Sequence, residues 1–70
     1  MAIAVKPYYE RPCASQGLIS YRYKGRLGWI MIGALDDADA LREARRSTNY
    51  PVSADNLSRW DGDSKTYRDI

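Results

Sequence analysis

Three aspartates within four positions, Asp36, Asp37 and Asp39, are the carboxylates closest together in this chain, and such a group could share a proton or hold a magnesium ion. A helix start explains them more simply. Asp36 fits an N-cap whose carboxylate accepts from the amide of Asp39, and all three oppose the positive end of a helix dipole. Asp61-Gly62-Asp63 resembles the opening of a calcium loop, but Lys65 stands where another oxygen ligand is wanted and no glutamate closes the frame. Turn chemistry accounts for these residues. The single cysteine, Cys13, lies between Pro12 and Ala14 with no base at a recognisable spacing, and it reads as a bystander. With one cysteine and no histidine, a histidine-based nucleophile triad and the usual zinc sets are excluded. The expectation is a non-enzymatic protein with no metal site and no cofactor.

Binding is the chemistry that remains, and two residue sets could carry it. Tyr21 and Tyr23 beside Arg22, Lys24 and Arg26 combine rings that stack bases with cations that neutralise phosphates. Arg42, Arg45 and Arg46 would extend that surface if the hairpin tip lay beside the helix end. Strand alternation works against this set, because it puts the two tyrosines on the face opposite Arg22 and Lys24. The simpler reading packs the tyrosines under a helix or against Trp29, with Arg22 and Lys24 in solvent. Gly25 and Gly28 spell the clamp loop of KH domains, but here they join strands rather than helices.

The second set is Trp29, Met31, Trp60, Tyr8 and Tyr9, more aromatic and thioether surface than one small helix covers, and of the types that anchor protein interfaces. Six tyrosines and two tryptophans with no phenylalanine give every ring a polar handle, which suits half-buried positions. A protein partner or a homodimer is therefore the leading expectation, with a sheet-surface nucleic-acid module as the alternative.

The elements that must position these residues follow from period and punctuation. Pro7, Pro12 and Gly17 make residues 1–17 an N-terminal arm, extended or irregular, with only residues 2–5 able to form a short strand. Residues 18–70 form one α+β domain. From Ile19 the period is two: Ile19, Tyr21 and Tyr23 point to an apolar face, Ser20, Arg22 and Lys24 to a wet one. Gly25-Arg26-Leu27-Gly28 offers two glycines for a tight reversal. Residues 29–35 then run almost without a polar side chain, Trp29, Met31 and Gly33 on one side and Ile30, Ile32 and Ala34 on the other. That pattern predicts an interior strand covered on both faces, by a helix on one and by the arm, a second protomer or a ligand on the other. Gly33 marks a close approach.

Residues from Asp36 onward are rich in helix formers, predicting a helix of about eleven residues whose buried stripe is Ala38, Leu41, Ala44 or Arg45, and Thr48. Arg42, Arg45 and Arg46 suit its C-terminal end, and Asp39 and Arg42 pair at i,i+3. Asn49 is placed for a left-handed cap, and Pro51 stops the helix. A second, more polar hairpin runs from Leu57 through Asp61-Gly62-Asp63-Ser64 to Ile70. The predicted fold is a small antiparallel sheet with one packed helix, in the order β-β-α-β-β.

Seventy residues bury only about 60% of the unfolded chain's surface, so a core this small relies on a staple. With neither disulfide nor metal available, oligomerisation is the expected one. The net charge of +2 is too small to mark a nucleic-acid protein by composition. It is unevenly spread, with no acidic residue between Arg11 and Asp36. No cleavable signal or membrane span is recognisable, which makes a cytoplasmic setting the expectation.

The run from Tyr21 to Ala34, Tyr-Arg-Tyr-Lys-Gly-Arg-Leu-Gly-Trp-Ile-Met-Ile-Gly-Ala, together with Asp39-Ala40-Leu41-Arg42-Glu43-Ala44 and Leu57-Ser58-Arg59-Trp60-Asp61-Gly62, resembles small uncharacterised proteins encoded in bacterial phages and prophages. The resemblance covers residues 20–62. It implies a phage or mobile-element context, with no catalytic or cofactor-binding residues to carry over.

Overall fold

The computed structural model describes residues 7–70. Its strands are β1 (Ile19–Gly25), β2 (Gly28–Ala34), β3 (Leu57–Asp61) and β4 (Thr66–Asp69), with one helix, α1 (Asp37–Ser47), and single 3-10 turns at Tyr8–Glu10 and Ala54–Asn56. All neighbouring strands are antiparallel, in the order β2-β1-β3-β4, so the fold is the expected small α+β layer. The strand expected at residues 2–5 lies outside the described residues. No helix among the described residues is long and apolar enough to cross a membrane.

The first hairpin closes where the glycines require it. Gly25 and Gly28 pair across the two-residue turn Arg26-Leu27. Gly28 takes φ +141, which L side chains rarely adopt, and a Cβ at Gly25 would lie 2.9 Å from the Gly28 carbonyl oxygen.

One expectation about β2 is corrected. It is an edge strand, not an interior one. β2 and β3 both run antiparallel to β1 from opposite sides, so α1 carries the chain across β1 and leaves β2 outermost. The expected cover above and below is present, and it accounts for the apolar character of both faces. Ile32 and Ala34 are buried on the helix side, while Gly33 meets the arm: a Cβ there would lie 3.3 Å from the Cβ of Ala14.

The helix is held by its cap and by close packing. Asp36 accepts from the Asp39 amide at 2.8 Å, and Asp39 returns the favour by accepting from the Leu35 amide at 3.0 Å. The first bond satisfies one of the amides that a helix start leaves free, and the second ties the residue before the cap to the first turn. The buried stripe is Ala40 and Ala44, with Leu41 partly buried; the expected Ala38 is exposed. Alanines at the contact let α1 sit directly on Ala34, Ile32, Tyr21 and Tyr23. At the other end Thr48, in extended conformation, caps the helix, and Asn49 is not left-handed. Thr48 Oγ1 accepts from the Tyr50 amide at 3.2 Å instead.

Candidate functional site

Two surfaces gather the residues singled out above. The first is the sheet face opposite α1, where strand alternation places Arg22, Trp29, Met31, Trp60 and Tyr67. Tyr9 stacks on Trp29, with centroids 5.8 Å apart and planes 19° from parallel, and Tyr8 meets Tyr9 edge-on at 5.4 Å. The Arg22 guanidinium lies 4.3 Å from the Trp29 ring centre and 4.8 Å from that of Tyr67, and Tyr67 meets Trp60 edge-on at 5.1 Å. The rings thus form a continuous ladder with one cation in the middle.

That ladder is closed by the arm. Arg22 donates to the Tyr9 carbonyl at 2.7 Å, the Tyr67 hydroxyl donates to the Arg11 carbonyl at 2.7 Å, and Ser20 Oγ accepts from the amides of Cys13 and Ala14 at 3.0 and 2.8 Å. The Cys13 thiol donates to the Ile32 carbonyl at 3.4 Å. Burial, reinforced by the neighbouring Cys13, pushes the Tyr67 phenol well above its ordinary pKa. The face expected to be wet is therefore not wet: Ser20 is buried and Arg22 half-buried. Arg22 reaches no carboxylate among the described residues, and its enclosed Nε has no hydrogen-bond partner. Two aromatic faces stand in for the missing anion. Of the predicted protein-binding set, Tyr9, Trp29 and Tyr8 come together on this face, with Met31 half-buried on the same side. Trp60 joins the ladder through Tyr67.

The predicted nucleic-acid set is divided. Tyr21 and Tyr23, 0% and 3% exposed, are core residues under α1 and cannot stack bases. Tyr21 donates to Asp37 at 2.6 Å, and Tyr23 accepts from the Ser53 amide at 3.0 Å. Arg22 belongs to the aromatic ladder. Arg42 and Arg46 pair along the helix with Asp39 and Glu43 at 3.1 and 3.2 Å, while Arg45 is exposed.

Lys24 and Arg26 go to the second surface, where the β1–β2 turn meets the C-terminal end of α1. The Arg26 guanidinium stands 4.9 Å from the ring centre of Tyr50, a residue in neither of the sets expected to bind. An aromatic directly before Pro51, just past the end of a polar helix face, is the signal that could have found it. Lys24, Arg26, Thr48, Tyr50 and Asn56 border a concavity of about 380 Å³. Leu27 and Arg46 border a neighbouring one of about 350 Å³ that shares Thr48 and Tyr50.

The carboxylate candidates are occupied by structure. Asp36 and Asp39 cap α1. Asp61 accepts from the Asp63 amide at 3.0 Å and the Ser64 hydroxyl at 2.9 Å, building the turn that the sequence predicts there. Among the described residues no three Cys, Asp or Glu side chains converge in a metal-binding arrangement. Set against known proteins, the chain matches no family model, no curated protein and no solved structure, and its function rests on the geometry of these two surfaces.

Proposed function

We propose that the protein is a small phage-type accessory module that works by protein contact and has no chemistry of its own, and that its β2 edge pairs antiparallel with β2 of a second copy. The observation that carries this reading is the composition of that edge. Seven residues, Gly-Trp-Ile-Met-Ile-Gly-Ala, form an outermost strand without one charged side chain or proline. Strand edges left open to water are ordinarily short, charged or interrupted by proline, because a flat apolar edge templates further pairing. The opposite edge follows that custom: β4 has four residues, two of them Arg68 and Asp69, and Lys65 precedes it.

Both faces of β2 are roofed, one by α1 and the other by the arm, so growth of the sheet can only be sideways. A two-fold axis at β2 joins two four-stranded sheets into one of eight strands through identical surfaces, the commonest geometry for a homodimer. It also supplies the staple that a 70-residue core without disulfide or histidine-bearing metal site calls for. The resemblance of residues 20–62 to phage-encoded proteins supports the context.

Sedimentation equilibrium over a concentration series tests the dimer, with Met31→Lys as the edge-charge variant. The expected result is a dimer at micromolar concentration, shifted to at least about tenfold higher concentration by the lysine, with cooperative unfolding retained. A chain that stays monomeric to about 1 mM, weaker than about 4 kcal/mol of association, overturns the reading. So does a chain that dimerises only after residues 1–6 are deleted, since its own N-terminus would then be what fills the edge.

A further inference from the structure

We infer that the end of the molecule formed by the β1–β2 turn and the segment after α1 binds single-stranded nucleic acid, with a base stacked on Tyr50 and phosphates held by Lys24, Arg26 and Arg46. The inference is independent of the dimer edge and uses a different surface from the sheet face first expected.

The turn and the helix end are forced together by the fold. The pairing of Gly25 with Gly28 projects Arg26 and Leu27 beyond the sheet, and Pro51 turns the chain back beneath them after Tyr50. Tyr50 remains 44% exposed and Leu27 92% exposed, so an aromatic ring and an apolar side chain both face solvent at a basic site. Neither of the two adjoining concavities there is lined by a carboxylate. Four other basic side chains each meet a carboxylate: Arg42 with Asp39, Arg46 with Glu43, Arg59 with Asp37 and Arg68 with Asp61. Lys24 and Arg26 form no ion pair among the described residues. The carbonyl end of α1 adds roughly half a negative charge. Lys24, Arg26 and Arg45 outweigh it, with Arg46 balanced by Glu43.

An unpaired cation beside an exposed ring, with Thr48, Asn49 and Asn56 supplying hydroxyl and amide groups at the rim, matches a ligand that alternates flat bases with anions. A paired duplex keeps its bases stacked on one another and offers Tyr50 no free face, which favours single strands.

Fluorescence anisotropy with a labelled oligothymidine of about 12 nucleotides, at 50 and 200 mM salt, tests this. The expected affinity is micromolar at the lower salt. Three phosphate contacts at about 0.7 each give a slope near −2, hence roughly 20-fold weaker binding at the higher salt. Tyr50→Ala should weaken binding about tenfold, as loss of one stacked base does, while Tyr50→Phe keeps it. The double change Lys24→Gln with Arg26→Gln should flatten the salt slope by about 1.4. Absence of binding at 50 mM salt overturns the inference, and so does a Tyr50→Ala protein within twofold of the parent. A duplex bound as tightly as the single strand overturns it as well, leaving only general attraction to polyanions.

Discussion

The phenol of Tyr21 donates to Asp37 Oδ1 across 2.6 Å, and Arg59 reaches the same oxygen at 3.5 Å. One carboxylate oxygen thus joins β1, the first turn of α1 and β3. The ring of Tyr21 is fully enclosed, so its hydroxyl has no water to turn to if the carboxylate is lost.

Tyr21→Phe should therefore cost about 1 kcal/mol and lower the melting temperature by roughly 4–8 °C, since the ring still fills its space. The same pair sets an alkaline limit. Burial first, then the Asp37 carboxylate, pushes the Tyr21 phenol up to about 12. The folded protein holds this proton more tightly than the unfolded chain, whose tyrosines ionise near 10, so the contribution is complete below pH 10 and disappears as pH rises through 12. Urea midpoints between pH 8 and 12 should fall more steeply in the parent than in Tyr21→Phe. Parallel curves would remove the hydrogen bond from the account.

The helix face offers a test that separates two stripes offset by two residues. Ala40 is fully buried against the sheet, whereas Ala38 is exposed. Ala40→Leu should overpack the layer and cost about 1–3 kcal/mol, while Ala38→Leu should stay within about 0.5 kcal/mol of the parent. Thermal unfolding of both decides, and equal effects would mean that α1 is rotated from the position described.

Which parts of this molecule can be read from its residues follows from what each residue contacts. Local signals stand in the chain itself: the glycines of the first hairpin, the Asp36 cap, the Asp61 turn and the period-two strands all specify their own neighbours. The place of β2 in the sheet does not, because Trp29, Ile30, Met31 and Ile32 record only that both faces are covered. A roofed edge strand and a central strand have the same composition. The arm is illegible for a related reason: its bonds to the sheet run through the Tyr9 and Arg11 carbonyls and the Cys13 and Ala14 amides, and backbone groups leave no mark in side-chain type. Arg22 reads as a solvent cation for want of an acid nearby, when its partners are the rings of Trp29 and Tyr67. Tyr50 is invisible because its partner, Arg26, lies 24 residues away in a separate hairpin.

The arm's hold on the sheet depends on Ser20, whose hydroxyl oxygen takes two amides at once. Ser20→Ala leaves those of Cys13 and Ala14 without a partner. Hydrogen exchange at these two positions should accelerate by about tenfold or more, corresponding to roughly 1.4 kcal/mol, while the amides of β1 and β3 exchange as before. Unchanged rates at both would show that the aromatic ladder alone anchors the arm. A general acceleration across the sheet would show instead that the arm and the sheet open as one unit.

The acid side of the stability profile is set by two exposed turns of chain. Asp39 is held below the usual carboxylate range first by the Leu35 amide and then by Arg42, and Asp61 first by the Ser64 hydroxyl, then by the Asp63 amide and Arg68. Each binds its proton less readily folded than unfolded, so its contribution is whole above the unfolded value near 4 and fades as pH falls through the folded one. Asp39→Asn keeps an oxygen for the Leu35 amide but neither titrates nor pairs with Arg42 as an anion, and Asp61→Asn does the same for its turn. Each variant should be less stable than the parent at pH 7 and should lose less between pH 5 and pH 2, so that the curves converge in acid. Urea midpoints that run parallel from pH 7 to pH 2 would mean that the helix cap and the second hairpin owe nothing to these charges.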